Sequence, residues 1–239
     1  MTPIESGILA ATSHDSSKRR FLKMAATGTV AGLAAAAGMN FTASRALAQT
    51  KLTPDAALQE LMDGNRRSAS GRLTSLEEDL AILKQHTVEK QEPFAAVLAC
   101  ADSRVPVELI FDQSIGHSFV TRVAGNVVTS EIIASLEYGA AVLGTKVILV
   151  MGHGGCGAVK AAIQGKEVPG QISSLFPHLR PAVNQEGSSL EATIKKNAQI
   201  QAALLRESST VVSGLVKDKQ LKVVAGYYDL ASGAVTLLD

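Results

Sequence analysis

From Leu52 onward the chain alternates between two hydrophobic periods. From Leu52 to about Ser68, Ala57, Leu58, Leu61 and Met62 recur at helical spacing behind Pro54 and Asp55, which predicts an amphipathic helix. A second helical pattern covers Leu76 to His86. Then the period changes. Pro93 to Ala99 is a short unbroken apolar run, the mark of a strand buried on both faces. Ser118 to Val123 and the β-branched run Lys146 to Met151 predict two more strands. Helices are predicted over Thr129–Leu143, with Thr129 or Ser130 as the cap and Gly144 as the stop, and over Gly157–Gln164, Leu190–Glu207 and Val211–Lys217. Leu221–Tyr227 and Ala234–Leu238 read as a closing hairpin across Ala231-Ser232-Gly233. Buried strands alternating with helices imply an α/β fold with a mainly parallel central sheet flanked by helices, preceded by an amino-terminal helical arm. Ligands in such sheets collect at the carboxyl ends of the strands.

Residues 1–48 follow another pattern. A polar start leads to Ser17-Lys18-Arg19-Arg20-Phe21-Leu22-Lys23, then an Ala/Gly-rich stretch to about Met39, then Ser44-Arg45-Ala46-Leu47-Ala48-Gln49. A positive region, a short apolar region and an A-x-A site predict an export signal over 1–48, followed by one domain over 49–239. The signal resembles the twin-arginine class. In the frame set by Phe21-Leu22-Lys23, however, the basic pair is Lys18 and Arg19. This places the mature protein in a bacterial periplasm, with no stable membrane insertion after cleavage. The whole chain of 239 residues has a net charge of +1; the leader carries +3 of it, leaving the remainder at about −2. Charge is balanced and no Lys/Arg cluster lies in the body of the chain, which argues against nucleic acid as a partner.

Chemistry-bearing residues fall at strand ends. Cys100-Ala101-Asp102-Ser103-Arg104 follows the first predicted strand, and Gly152-His153-Gly154-Gly155-Cys156-Gly157 follows the third. Both cysteines of the chain are in these two segments. Two thiolates and an imidazole form a soft donor set that suits Zn2+, and three protein ligands leave a fourth position open, as catalytic zinc requires. Cys156 precedes a predicted helix, whose positive end favours a thiolate. A disulfide between Cys100 and Cys156, or a buried structural role for each, is the competing interpretation. Gly152-x-Gly154-x-x-Gly157 also matches a dinucleotide fingerprint, but no strand ending in an acidic residue follows about 20 residues on.

These segments together resemble the beta-class carbonic anhydrases. The resemblance extends to Gly64-Asn65-Arg66, to Val105 through Asp112, to Arg122-Val123-Ala124-Gly125-Asn126, to Ser135-Leu136-Glu137-Tyr138 and to Gly226-Tyr227-Tyr228-Asp229, so that it spans about residues 52–239. It implies Cys100, His153 and Cys156 as zinc ligands, an Asp102–Arg104 dyad, and Gln91 as an amide that binds a substrate oxygen. It implies Phe119, Tyr138 and Gly157 as parts of the substrate cleft, built partly by a neighbouring subunit in a homodimer or homotetramer. Asp102 is also the residue that would close the site as a fourth zinc ligand; the bicarbonate control linked to that closure needs a Trp, and the chain has none. The implied reaction is hydration of carbon dioxide to bicarbonate and a proton by hydroxide held on zinc. Two alternatives share the scaffold: hydrolysis of carbonyl sulfide or carbon disulfide, and a non-catalytic zinc module. His117 stands where the family has an acidic residue, and Ser68 where an aromatic is common.

Overall fold

The computed structural model describes residues 50–75, 87, 88 and 90–238. The leader and the predicted helix over 76–86 lie outside the described residues. Helix α1 (Pro54–Ala69) opens the described chain, with Thr53 accepting the Ala56 N–H as its cap. Strand β1 (Ala95–Ala99) leads through the short helix α2 (Val107–Ile110) to β2 (Ser118–Arg122). Helix α3 (Ser130–Glu137) runs into a π turn at Tyr138–Val142, so the helical pattern to Leu143 is one segment with two windings. Then come β3 (Val147–His153), α4 (Gly157–Gln164), α5 (Phe176–Glu186), α6 (Leu190–Ser208), α7 (Thr210–Lys217), β4 (Lys222–Tyr228) and β5 (Val235–Leu238).

The described strands form one sheet in the order β2-β1-β3-β4-β5. The first four run parallel and β5 closes antiparallel on β4. Both expected features, the mainly parallel sheet and the closing hairpin, are therefore present. Helix α5 has no counterpart among the elements read from the sequence. It begins with Pro at its first turn and carries Pro181 inside, residues that normally punctuate rather than propagate a helix.

Side-chain alternation explains the unbroken apolar runs. Ala95, Val97 and Ala99 of β1, with Val147, Leu149 and Met151 of β3, pack towards Ala57 and Leu61 of α1 and towards α2. Their neighbours Ala96, Leu98, Ile148 and Val150 pack against Leu136 of α3, Ala198 and Leu205 of α6 and Val212 of α7. A strand covered on both faces has no polar positions to alternate with.

Two close approaches join helices to this frame. A Cβ on Gly64 of α1 would lie 1.9 Å from the Phe111 carbonyl oxygen. Next to it, the buried Asn65 donates to the carbonyls of Ile110 and Gly233 (both 3.0 Å) and accepts the Val235 N–H (2.8 Å). The Gly-Asn pair thus stitches α1 to the segment after α2 and to the start of β5. On the other side, a Cβ on Gly152 would lie 2.8 Å from Ile194 Cγ2, because α6 lies directly on the end of β3.

Candidate metal centre

The parallel register brings the carboxyl ends of β1 and β3 side by side, with Ala99 opposite Met151. Cys100 follows β1 and His153 ends β3, and Cys156 sits three residues on, at the N-cap of α4. All three are buried, and one ligand atom from each lies within 4.8 Å of the others. The two sulfurs are 4.0 Å apart and the cysteines are free. Gly155, with φ +66°, provides the left-handed turn that brings Cys156 back towards His153.

The imidazole is set for a metal. His153 Nδ1 is 3.0 Å from the Gly154 carbonyl, which can only accept, so the proton is on Nδ1 and the Nε2 lone pair is free. Nε2 is buried and has no hydrogen-bond partner among the described residues. An orphaned buried acceptor is costly unless something binds it. Two sulfurs and this nitrogen, converging on one point, fit zinc.

Thiol electrostatics fit the same assignment. The contact with Cys156, helped by the N–H groups of Gly125 and Asp102, brings the Cys100 thiol down to about 4, against the opposing effect of burial. Cys156 is pushed up, first because it holds the shared proton towards Cys100 and then by burial. One sulfur of the pair is thus favoured as thiolate beside the other, and binding a dication displaces thiol protons.

Asp102 and Arg104 form a closed pair beside the cluster. Arg104 Nε donates to Asp102 Oδ1 (2.9 Å) and Nη2 to Oδ2 (2.8 Å), while the Arg104 backbone N–H also reaches Oδ1 (2.9 Å). The side-chain contact from Arg104 is the main reason the Asp102 carboxyl is held well below the usual carboxylate range. Oδ2 lies 3.8 Å from His153 Nε2, so the carboxylate borders the point where the three ligands converge. Gly157 opens α4 beside that point, and a Cβ there would meet nothing within 4 Å.

The remaining predicted site residues are elsewhere in the chain. Gln91 precedes β1, whereas Cys100 follows it, so five strand residues put them roughly 16 Å or more apart along the strand. Gln91 lines a shallow cavity of about 190 Å³ with Lys90, Glu92, Ile115 and His117. Phe119 is the second residue of the edge strand β2, pairs with Ala96 towards the amino end of β1, and its ring centroid is 6.3 Å from that of Tyr138. Tyr138 is 47 % and Val142 41 % exposed, leaving an apolar strip uncovered in the single chain.

Other residues hold the site: Arg122 and Gly125, quoted from the sequence only as part of a family-like segment and given no role, and Asn197 and Gln201, not singled out there. Arg122 Nε donates to the Cys100 carbonyl (3.0 Å), and its Nη2 donates to the Asp102 carbonyl. The Gly125 N–H donates to Cys100 Sγ (3.3 Å). Asn197 and Gln201, both 1 % exposed, lie under this turn. Thr193, Asn197 and Gln201 recur every fourth residue of α6 beside Ile194, Ala198, Ala202 and Leu205. That buried polar stripe beside an apolar face is the signal that would have found them.

Residues 95–235 match the model of the carbonic anhydrase family. A carbonic anhydrase of Mycolicibacterium smegmatis is 35% identical over 194 residues, covering 77% of this chain and 93% of its own. Carbonic anhydrase 2 of Mycobacterium tuberculosis is 32% identical over 194 residues, covering 78% and 93%. The crystal structure of the beta-carbonic anhydrase CafA of Aspergillus fumigatus superposes with a TM-score of 0.62 at 26% identity, covering 76% of this chain and 90% of that one. The sheet, the buried Cys-His-Cys group that could hold a metal ion and these similarities define an enzyme of the α/β class. The chain belongs to the carbonic anhydrase family, in its beta class. The comparisons favour neither the sulfur-substrate reading nor a non-catalytic module. The Gly152–Gly157 fingerprint has another explanation, because Gly152 makes room for α6.

Proposed function

We propose that the protein catalyses reversible hydration of carbon dioxide through Cys100, His153 and Cys156 as zinc ligands, with Asp102 and Arg104 orienting the nucleophile. The observation that carries this is the buried, unpartnered His153 Nε2 converging with two free thiols beside a preformed carboxylate–guanidinium pair. Zinc in this position supplies the Lewis acidity that makes hydroxide available from water near neutral pH. Arg104 donates twice to Asp102 Oδ1, from Nε and from its backbone N–H, and once to Oδ2, which keeps the carboxylate charged and fixed in direction. Oδ2 retains a lone pair on the side of His153 and can accept a hydrogen bond from an attacking hydroxyl, aiming its oxygen at carbon dioxide. Substrate is uncharged, so it needs an apolar approach and one amide donor for the oxygen that gains charge.

Gln91, Phe119 and Tyr138 would supply those features from a second copy. Their place near the opposite end of the strands, with an exposed apolar strip at Tyr138 and Val142, supports a homodimer or homotetramer whose clefts lie between subunits. The leader supports export by a twin-arginine type route to the periplasm. Among the described residues no helix is long and apolar enough to cross a membrane.

The test is stopped-flow carbon dioxide hydration with zinc per chain determined on the same sample. Near one zinc per chain with fast hydration supports the assignment. One zinc without hydration at any pH would redirect it to the sulfur substrates or a non-catalytic module, and no zinc with an oxidised Cys100–Cys156 pair would overturn it.

A further inference from the structure

Helix α6 is apolar on its inner face except for three fully buried polar residues, Thr193, Asn197 and Gln201. Thr193 Oγ1 donates to the Ser189 carbonyl within its own helix, which accounts for it (2.7 Å). The other two reach out of the helix. Gln201 Oε1 accepts the Val128 N–H (2.8 Å), and its Nε2 donates to the His178 carbonyl (3.0 Å) and to Asn197 Oδ1 (3.2 Å). Because Oδ1 is taken by that donor, the Asn197 amide has one orientation, with Nδ2 towards the Gly125 carbonyl at 2.9 Å. Gly125 has φ +77°, a conformation that nothing in its own side chain enforces. Its N–H points at Cys100 Sγ, 3.3 Å away.

We infer that Asn197 is a positioning residue for the metal centre, acting through Gly125: it holds a backbone N–H that hydrogen-bonds the Cys100 sulfur. This rests on the reading of Cys100 as a zinc ligand. A hydrogen bond to a thiolate withdraws charge from the sulfur, so less is donated to the metal, and the metal stays a stronger Lewis acid. Releasing Gly125 lets that contact lengthen, which makes the sulfur a stronger donor. Buried amides are costly to place in an apolar helix face, and a role at the sulfur gives Asn197 a reason to be there.

The test uses the full chain loaded with Co(II), whose sulfur-to-metal charge-transfer bands report the donor strength of the two thiolates. Asn197→Leu keeps the approximate volume and removes the donor to Gly125; Asn197→Ala serves if the leucine variant does not fold. Thr193→Val is the control, since it removes a neighbouring buried polar group of α6 that bonds only the Ser189 carbonyl and leaves Asn197, Gln201 and Gly125 as they are. The expected result is a move of the charge-transfer bands to longer wavelength in the Asn197 variants, with zinc affinity by chelator competition changed about 10-fold. The control should keep the bands of the parent protein even where its melting temperature falls. Parent-like bands and affinity in folded Asn197 variants would overturn the inference, as would equal band shifts in Thr193→Val. If the parent protein itself binds neither cobalt nor zinc, it is the metal-centre reading that fails.

Discussion

Cys156 contributes a sulfur and, from the N-cap of α4, the turn that directs it. Cys156→Ala removes one of three ligands and is expected to lose zinc and activity together, checked by metal analysis and stopped-flow hydration. Arg104 touches no proposed ligand side chain and binds Asp102 through two side-chain nitrogens. Arg104→Ala is therefore expected to retain one zinc per chain while kcat falls about 100-fold, the range lost when a preorganised charged contact is removed. A different carboxylate holds the scaffold. The Asp112 side chain is fully buried, with φ +47°, and accepts from Arg67 Nε (2.6 Å), from the N–H groups of Thr74 (2.8 Å) and Ser75 (2.9 Å), and from Thr74 Oγ1 (2.8 Å). Burial opposes its charge, but these donors outweigh burial and hold the carboxyl below the usual carboxylate range. A depressed folded value means the stabilisation is present above the unfolded carboxylate pKa and is lost as pH falls through the folded value. Asp112→Asn, which tolerates the same backbone conformation, should cost about 3 kcal/mol in urea unfolding at pH 7. The gap from the parent protein should close in strong acid.

Elements sit where glycines let them approach. The Gly64 Cβ position is occupied by the Phe111 carbonyl oxygen, which is backbone and cannot step aside. Gly64→Ala is expected to cost about 2–3 kcal/mol, read from urea unfolding, and to loosen α1 ahead of the sheet. At the metal-centre end, Gly152→Ala would press on both Ile194 Cγ2 and the Ile194 carbonyl at 3.1 Å, moving α6 and with it Asn197. Helical and strand periods made most of these elements legible, from α1 to β5, because burial on one face or on two leaves a different spacing in the sequence. Helix α5 was not legible. Its prolines read as breaks, and its hold on the fold comes from Leu179 and Ala182, buried against neighbours distant in sequence. The π turn after α3 was hidden as well, since one extra residue in a turn barely disturbs an apolar pattern.

At the scale of the molecule, one chain holds the metal centre at one end of its strands and Gln91 near the other. Cross-subunit clefts make a specific prediction. Cys156→Ala and Gln91→Ala, each weak or inactive alone, should regain activity when the two chains are co-assembled, because a hybrid dimer contains one site with every part intact. Recovery in mixed dimers, measured by hydration after co-refolding and sedimentation, checks it; two single-chain sites would give none. The Cys, His, Asp and Arg of the centre were legible because their spacing after apolar strand runs sets them at carboxyl ends, where parallel sheets gather ligands. What the sequence determined by itself is local: which segments bury one face or two, which residue types carry chemistry, and which end of each strand they follow. Only the tertiary structure decided that β1 and β3 are neighbours, that His153 Nε2 is left without a partner among the described residues, and that α6 reaches the Cys100 sulfur through Gly125. Those facts depend on packing between segments far apart in the chain, where a contact is set by the shape of the whole core and leaves no period to read.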